Sequence, residues 1–233
     1  YIRTDFKKNV ITPDDKTFNF EKYDYWVKDL TENNIKILAI LDENYFVDTD
    51  IEVNTYTNFY REVKKRYPQI EDFEIMNEVN IQNKGAYLNE EDTRWYSKVL
   101  NSIENVKTKS DNIICGGTAT GFSGGNWITS ETFYNYVYNT NGLVKCNHYA
   151  IHPYTINNLE KLRQKIDSHV NLYDSYGGFY KLDITEYGST TSALSEDKQA
   201  VDIVKQTVAL EEKCNFIILY NLWSTGEQIE WSK

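Results

Sequence analysis

Two glutamates sit where chemistry could be done, Glu78 in Phe73-Glu74-Ile75-Met76-Asn77-Glu78-Val79-Asn80 and Glu186 in Lys181-Leu182-Asp183-Ile184-Thr185-Glu186-Tyr187-Gly188. Each closes a short run rich in apolar residues, the pattern of a buried strand that delivers a polar group at its end. Glycosidic bond cleavage needs such a pair: one carboxylic acid protonates the leaving oxygen, while the other carboxylate attacks the anomeric carbon or activates water. The bland alternative is that each glutamate caps a helix or pairs with a surface lysine. One strand-end glutamate would suit that alternative; two, each beside a further polar or aromatic residue, suit it less. His148 and His152 are four apart, but their run reads as a strand and lacks the glutamate of H-E-x-x-H, so no metal is expected. No cofactor motif is present either. His169 falls in a helical segment and reads as a surface residue. The three cysteines, at 115, 146 and 214, are an odd count with neither a C-x-x-C pair nor zinc spacing, and read as buried thiols.

A regular scaffold must hold these residues. Strand-like runs occur at 35–41, 73–76, 112–115, 147–151, 180–184 and 216–222, after an opening Ile2-Arg3-Thr4-Asp5 that itself reads as a strand. Between them, helical spacing appears in Tyr23, Trp26, Val27, Leu30; in Tyr56, Phe59, Tyr60, Val63; in Tyr96, Val99, Leu100, Ile103; in Leu159, Leu162, Ile166, Val170; and in Val201, Val204, Val208. Alternating strands and helices select a parallel sheet covered by helices. The residues closing the strands (Asp5, Asp42, Glu78, Gly117, His152, Glu186, Trp223) recur about every 36 positions, as repeated βα units of one size would. A doubly wound fold usually carries a glycine-rich phosphate loop in its first turn, and none is present. The expectation is an α/β chain forming a (β/α)8 TIM barrel over residues 1–233 as one domain, with seven strands of eight and the first βα unit lacking. An incomplete barrel exposes strand edges, through which the chain could pair with another.

Composition narrows the partners. With 25 basic and 35 acidic residues the formal charge is -10, and no basic run exceeds Lys64-Lys65-Arg66, so nucleic acid is not an expected partner. The longest apolar run, Ile35 to Leu41, is broken by Lys36 and far too short to cross a bilayer. Acidic polymers are disfavoured, and a neutral or cationic glycan fits better.

Asn77-Glu78 after an apolar strand, with Glu186 three units later, resembles the glycoside hydrolase clan A barrels, where the acid/base follows strand four and the nucleophile follows strand seven. Arg3 in Ile2-Arg3-Thr4-Asp5-Phe6, His152-Pro153-Tyr154 after the sixth strand of that numbering, and Trp223 in Tyr220-Asn221-Leu222-Trp223-Ser224 after the eighth extend the resemblance over nearly the whole chain. Within the clan it is most similar to family thirty-nine and its relatives among endo-acting exopolysaccharide hydrolases. The resemblance implies a retaining hydrolase of β-glycosidic bonds in a polysaccharide or oligosaccharide. It implies that Glu78 is the acid/base and Glu186 the nucleophile beside Arg3. Asn77 would bond the sugar 2-hydroxyl, Tyr154 orient Glu186, His152 hold the sugar or the acid, and Trp223 offer an apolar platform. Trp127, on a glycine-bearing loop, is a further candidate sugar-stacking ring, as are Tyr45, Phe46 and Trp231. Such a substrate would suit a secreted or cell-surface protein. Two other readings stay open: a catalytically silent carbohydrate-binding barrel, and a phosphate-handling barrel using Gly188-Ser189-Thr190-Thr191-Ser192, which lacks a strand-end lysine.

Overall fold

The computed structural model describes residues 1–43, 50–81, 90–121, 128–142, 145–177, 181–190 and 193–220. Seven strands, β1 (Ile2–Lys7), β2 (Ile37–Asp42), β3 (Asp72–Asn77), β4 (Asn112–Ala119), β5 (His148–His152), β6 (Lys181–Tyr187) and β7 (Phe216–Leu219), form one sheet in chain order. Every pairing is parallel, so each step needs a crossover. The crossovers carry α1 (Lys8–Ile11) and α2 (Glu21–Glu32), then α3 (Asp50–Arg66), α4 (Glu90–Glu104), α5 (Ser130–Asn139), α6 (Leu159–Ser175) and α7 (Glu196–Glu211). The sheet curls on itself. Arg3 of β1 touches Glu186 of β6, and the rings of Tyr1 and Phe216 meet edge to face with centroids 4.7 Å apart. Among the described residues β1 and β7 do not pair, leaving a curled half-barrel of the TIM type with seven strands.

Alternation along the strands sorts side chains between two environments. On β2, Ile37, Ala39 and Leu41 join the large apolar cluster under the helices, while Leu38 points inward with Ile114 and Ala150 against Phe216 and Ile218. This small inner cluster forms the barrel floor, and polar groups occupy the layer above it. The outer cluster is rich in tyrosine: Tyr56, Tyr60, Tyr96, Tyr134 and Tyr149 are wholly or almost wholly buried. Their rings contribute packing while several hydroxyls bond strand carbonyls, as Tyr96 does to Ile75 at 2.9 Å. Much of the tyrosine content therefore seals helices to the sheet and does not face a cleft.

Four expectations need correction. α5 was not anticipated, because its inward set, Phe133, Tyr134 and Val137, is too short to give a clear helical period. The α7 valines do not face the core: Val201, Val204 and Val208 are exposed, and Asp202, Gln206, Ala209 and Leu210 are buried instead. Backbone polar groups from the turns after β5 and β6 meet that face, with Asp202 accepting from Asn157 N at 3.1 Å and Gln206 donating to Thr155 O at 3.2 Å. His169 is fully buried, not at the surface. Its ring nitrogens meet Ser130 Oγ at 2.8 Å and Lys165 O at 2.8 Å, which satisfies a polar ring in the core. Finally, Cys115 and Cys146 are not thiols but a disulfide linking β4 to the segment before β5, and Cys214 is the free cysteine. Counting cysteines could not reveal a pair whose Cα atoms come within 5.8 Å only through the fold.

Candidate active site

The C-terminal ends of β3, β5 and β6 converge on one polar cluster, which the second residue of β1 reaches with its long side chain. Arg3, pointing inward from β1, is its hub. Its Nε and Nη2 donate to Glu74 Oε2 and Oε1 at 2.7 and 2.9 Å, its Nη1 donates to Glu186 Oε1 at 2.5 Å, and Nη2 also donates to Asn77 Oδ1 at 2.7 Å. Burial by itself would make the guanidinium easier to deprotonate, but Glu74 and Glu186 outweigh it and hold Arg3 charged. Tyr154, just beyond β5, donates its hydroxyl to Glu186 Oε2 at 2.8 Å. Burial and the neighbouring Glu186 carboxylate push that phenol well above its ordinary value, so it stays a donor. Both Glu186 oxygens are thus held from the protein side, and the side chain keeps only 10% of its surface exposed.

Glu78 is placed by an unusual piece of backbone. Met76 and Glu78 have φ of 64° and 46°, the left-handed region that costs a non-glycine residue about 1–2 kcal/mol. Cross-strand bonds hold the kink: Glu78 N donates to Gly117 O at 2.7 Å, and Asn80 clasps β4 by donating to Ala119 O and accepting from Ala119 N, both at 2.9 Å. The kink turns Glu78 to the cleft, 24% exposed, with Oε1 at 3.0 Å from His152 Nδ1. Gly117 makes room for that histidine, since a Cβ there would lie 2.1 Å from His152 Nε2.

Two residues absent from the sequence reading complete the cluster. Glu74 is fully buried. Burial favours its neutral form, but the charge and hydrogen bonds of Arg3, with help from His152 and Gly117 N, hold it below the ordinary carboxylate range. Thr185 Oγ1 donates to Glu74 Oε1 at 3.3 Å and lies 3.0 Å from His152 Nε2. With its proton committed to Glu74, Thr185 accepts from His152 Nε2–H, which leaves Nδ1 facing Glu78. The sequence held a signal for Glu74, an acidic residue inside an otherwise apolar strand, where an unpaired charge would be prohibitive.

Arg3, Asn77, Glu78, His152, Tyr154 and Glu186 thus lie together in one cluster. Trp127, Trp223, Tyr45, Phe46 and Trp231 lie outside the described residues. One ligand atom each from Glu78, His152 and Glu186 lies within 4.8 Å of the others, a spacing that a metal ion could bridge. The Arg3 cation already bonded to Glu186 makes that site electrostatically poor for a further cation.

No family model and no curated protein matches the sequence. Solved structures do match. A family 39 glycoside hydrolase from Bacteroides cellulosilyticus WH2 superposes with a TM-score of 0.73 at 16% identity, covering 94% of this chain and 50% of that one. A glucosidase from Croceicoccus marinus gives 0.69 at 14% identity over 88% and 46%, and a GH10 xylanase from Bispora sp. MEY-1 gives 0.70 at 12% over 96% and 74%. The chain spans about half the length of the first two. At these identities the likeness establishes the fold, which is that of the TIM-barrel glycoside hydrolases.

Proposed function

We propose that the chain is the catalytic barrel of a retaining glycoside hydrolase that cleaves β-glycosidic bonds of a polysaccharide or oligosaccharide. The observation that carries this reading is the approach of Glu78 and Glu186, one carboxylate oxygen of each lying within 4.8 Å of the other. Retaining enzymes separate their carboxyl groups by about 5–5.5 Å, whereas inverting enzymes need about 6.5–9.5 Å to admit water.

Glu186, anchored by Arg3 and Tyr154, attacks the anomeric carbon as Glu78 gives its proton to the leaving oxygen. The bond from C1 to the leaving group breaks while the bond from C1 to Glu186 forms. Water then gives its proton to Glu78 and attacks C1, releasing Glu186 and returning both glutamates to their starting states. Asn77 uses its amide NH2 on the sugar 2-hydroxyl, because Arg3 already occupies its Oδ1. His152 steadies the Glu78 carboxyl through Nδ1.

The test is hydrolysis of 4-nitrophenyl β-glycosides and soluble xylan, mannan, galactan and β-glucan by this chain, beside Glu78→Gln and Glu186→Gln. Turnover that each substitution lowers by two orders of magnitude or more supports the reading. Turnover indifferent to both substitutions overturns it. Glycan affinity without turnover by the folded chain would favour a silent carbohydrate-binding barrel.

A further inference from the structure

The proposed reaction leaves one carboxyl at the same rim unused. Asp42 closes β2 and, by the alternation that sends Leu38 to the barrel floor and Leu41 to the helices, projects on the inner side. It stands in register with Lys7 of β1, four residues beyond Arg3. Only 8% of its surface is exposed, yet its Oδ1 is buried without a hydrogen-bond partner among the described residues. The nearby cations are engaged elsewhere: Arg3 holds Glu74 and Glu186, Lys8 bridges Asp15 and Glu43 at 2.6 and 2.9 Å, and Lys7 lies 3.7 Å from Asp5. Burial, with Asp5 and Glu43 adding to it and Lys7 and Arg3 opposing, pushes the Asp42 carboxyl up to about 6. Buried polar atoms are nearly always satisfied, so an orphaned carboxylate oxygen at an inner position at the end of a strand calls for an explanation, and a donor brought by a ligand is one.

We infer that Asp42 is a sugar-recognising residue, accepting a hydrogen bond from a hydroxyl or free amine of a glycan lying across the cleft beside Glu78 and Glu186. The placement of the sugar rests on the glycosidase reading, whereas the demand for a donor at Asp42 does not. Hydroxyl and amine share this donor chemistry. An amine, carried as ammonium, would also meet the acidic corner that Asp5 and Asp42 make.

Calorimetric titration of the chain with xylotetraose, mannotetraose, cellotetraose, chitotetraose and its deacetylated form tests this, beside Asp42→Asn and Asp42→Ala. A hydrogen bond to a charged group carries roughly ten- to hundredfold in affinity. The best-bound glycan should therefore weaken at least about tenfold in both variants, while their melting temperatures hold or rise. A preference for the deacetylated tetramer that vanishes in Asp42→Asn identifies an amine donor; loss of affinity for a neutral tetramer identifies a hydroxyl. Affinities within twofold of the parent, absence of binding by the parent at millimolar ligand, or unfolding of both variants would each overturn the inference. Asp42-dependent binding by a chain that cleaves nothing would contradict the glycosidase reading and leave this one standing. Cleavage by a chain whose Asp42 variants bind normally would do the reverse.

Discussion

Replacing Glu74 by glutamine probes the charge balance on which the site depends. Glu74 takes two bonds from Arg3 at 2.7 and 2.9 Å, one from Gly117 N at 2.8 Å and one from Thr185 at 3.3 Å. Glutamine preserves the shape but removes the charge, and it turns one acceptor into a donor facing the donors of Arg3. Breaking one partner of a buried ion pair costs about 3–5 kcal/mol. In a chain of this size that lowers the melting temperature by roughly 6–20 °C. The effect depends on pH with a definite sign. The folded carboxyl titrates below its unfolded counterpart, so its stabilisation is complete above the ordinary carboxylate range and is lost as pH falls through the folded value. The gap in melting temperature between the parent and Glu74→Gln should be widest near neutrality and narrow in acid. Activity should fall at least about tenfold at temperatures where the variant is folded, because Arg3 loses the anchor that aims it at Glu186. Circular dichroism melts at pH 7 and pH 4, with rates at 20 °C, provide the assay. A neutral-pH melting temperature within about 2 °C of the parent, or a gap that widens in acid, would refute the reasoning.

Other consequences follow from the same geometry. Thr185→Val removes the acceptor for His152 Nε2, so kcat/KM should fall about tenfold with an altered pH profile, and Thr185→Ser should restore both. Gly117→Ala forces a Cβ to within 2.1 Å of His152 Nε2 and 2.8 Å of Glu74 Oε1; it should cost about 1–3 kcal/mol in a thermal melt and displace the histidine from Glu78. The non-reduced, denatured chain should yield one titratable thiol and the reduced chain three. In the native chain the Cys214 thiol, pushed up to about 12 by burial and then Asp183, should react slowly. Cys146→Ser, which opens a loop 31 residues in span, should cost about 3–4 kcal/mol by the loop-entropy relation.

The strands and most helices were legible in the sequence because their periods are set by local geometry: two for a strand, 3.6 for a helix. The regular spacing of strand-end residues then carried the inference from elements to barrel. What failed was whatever depends on the far side of a contact. The spacing of Val201, Val204 and Val208 is helical, but periodicity cannot say which face of α7 meets the polar turns that Asp202 and Gln206 satisfy. His169 reads as a surface residue until Ser130 is placed against its ring. Glu74 was passed over because a charge within an apolar run has meaning only once Arg3, 71 positions away, is seen to meet it. Glu78 and Glu186 could be singled out in the sequence because the proposed chemistry fixes both their number and their type.

The most direct test of the central claim is the stereochemistry of the first sugar released, followed by 1H NMR on a β-glycoside that the chain cleaves. Two carboxylates as close as Glu78 and Glu186 predict that the β-anomer appears first and mutarotates afterwards. First release of the α-anomer would contradict a covalent intermediate on Glu186 and, with it, the roles assigned to Arg3 and Tyr154.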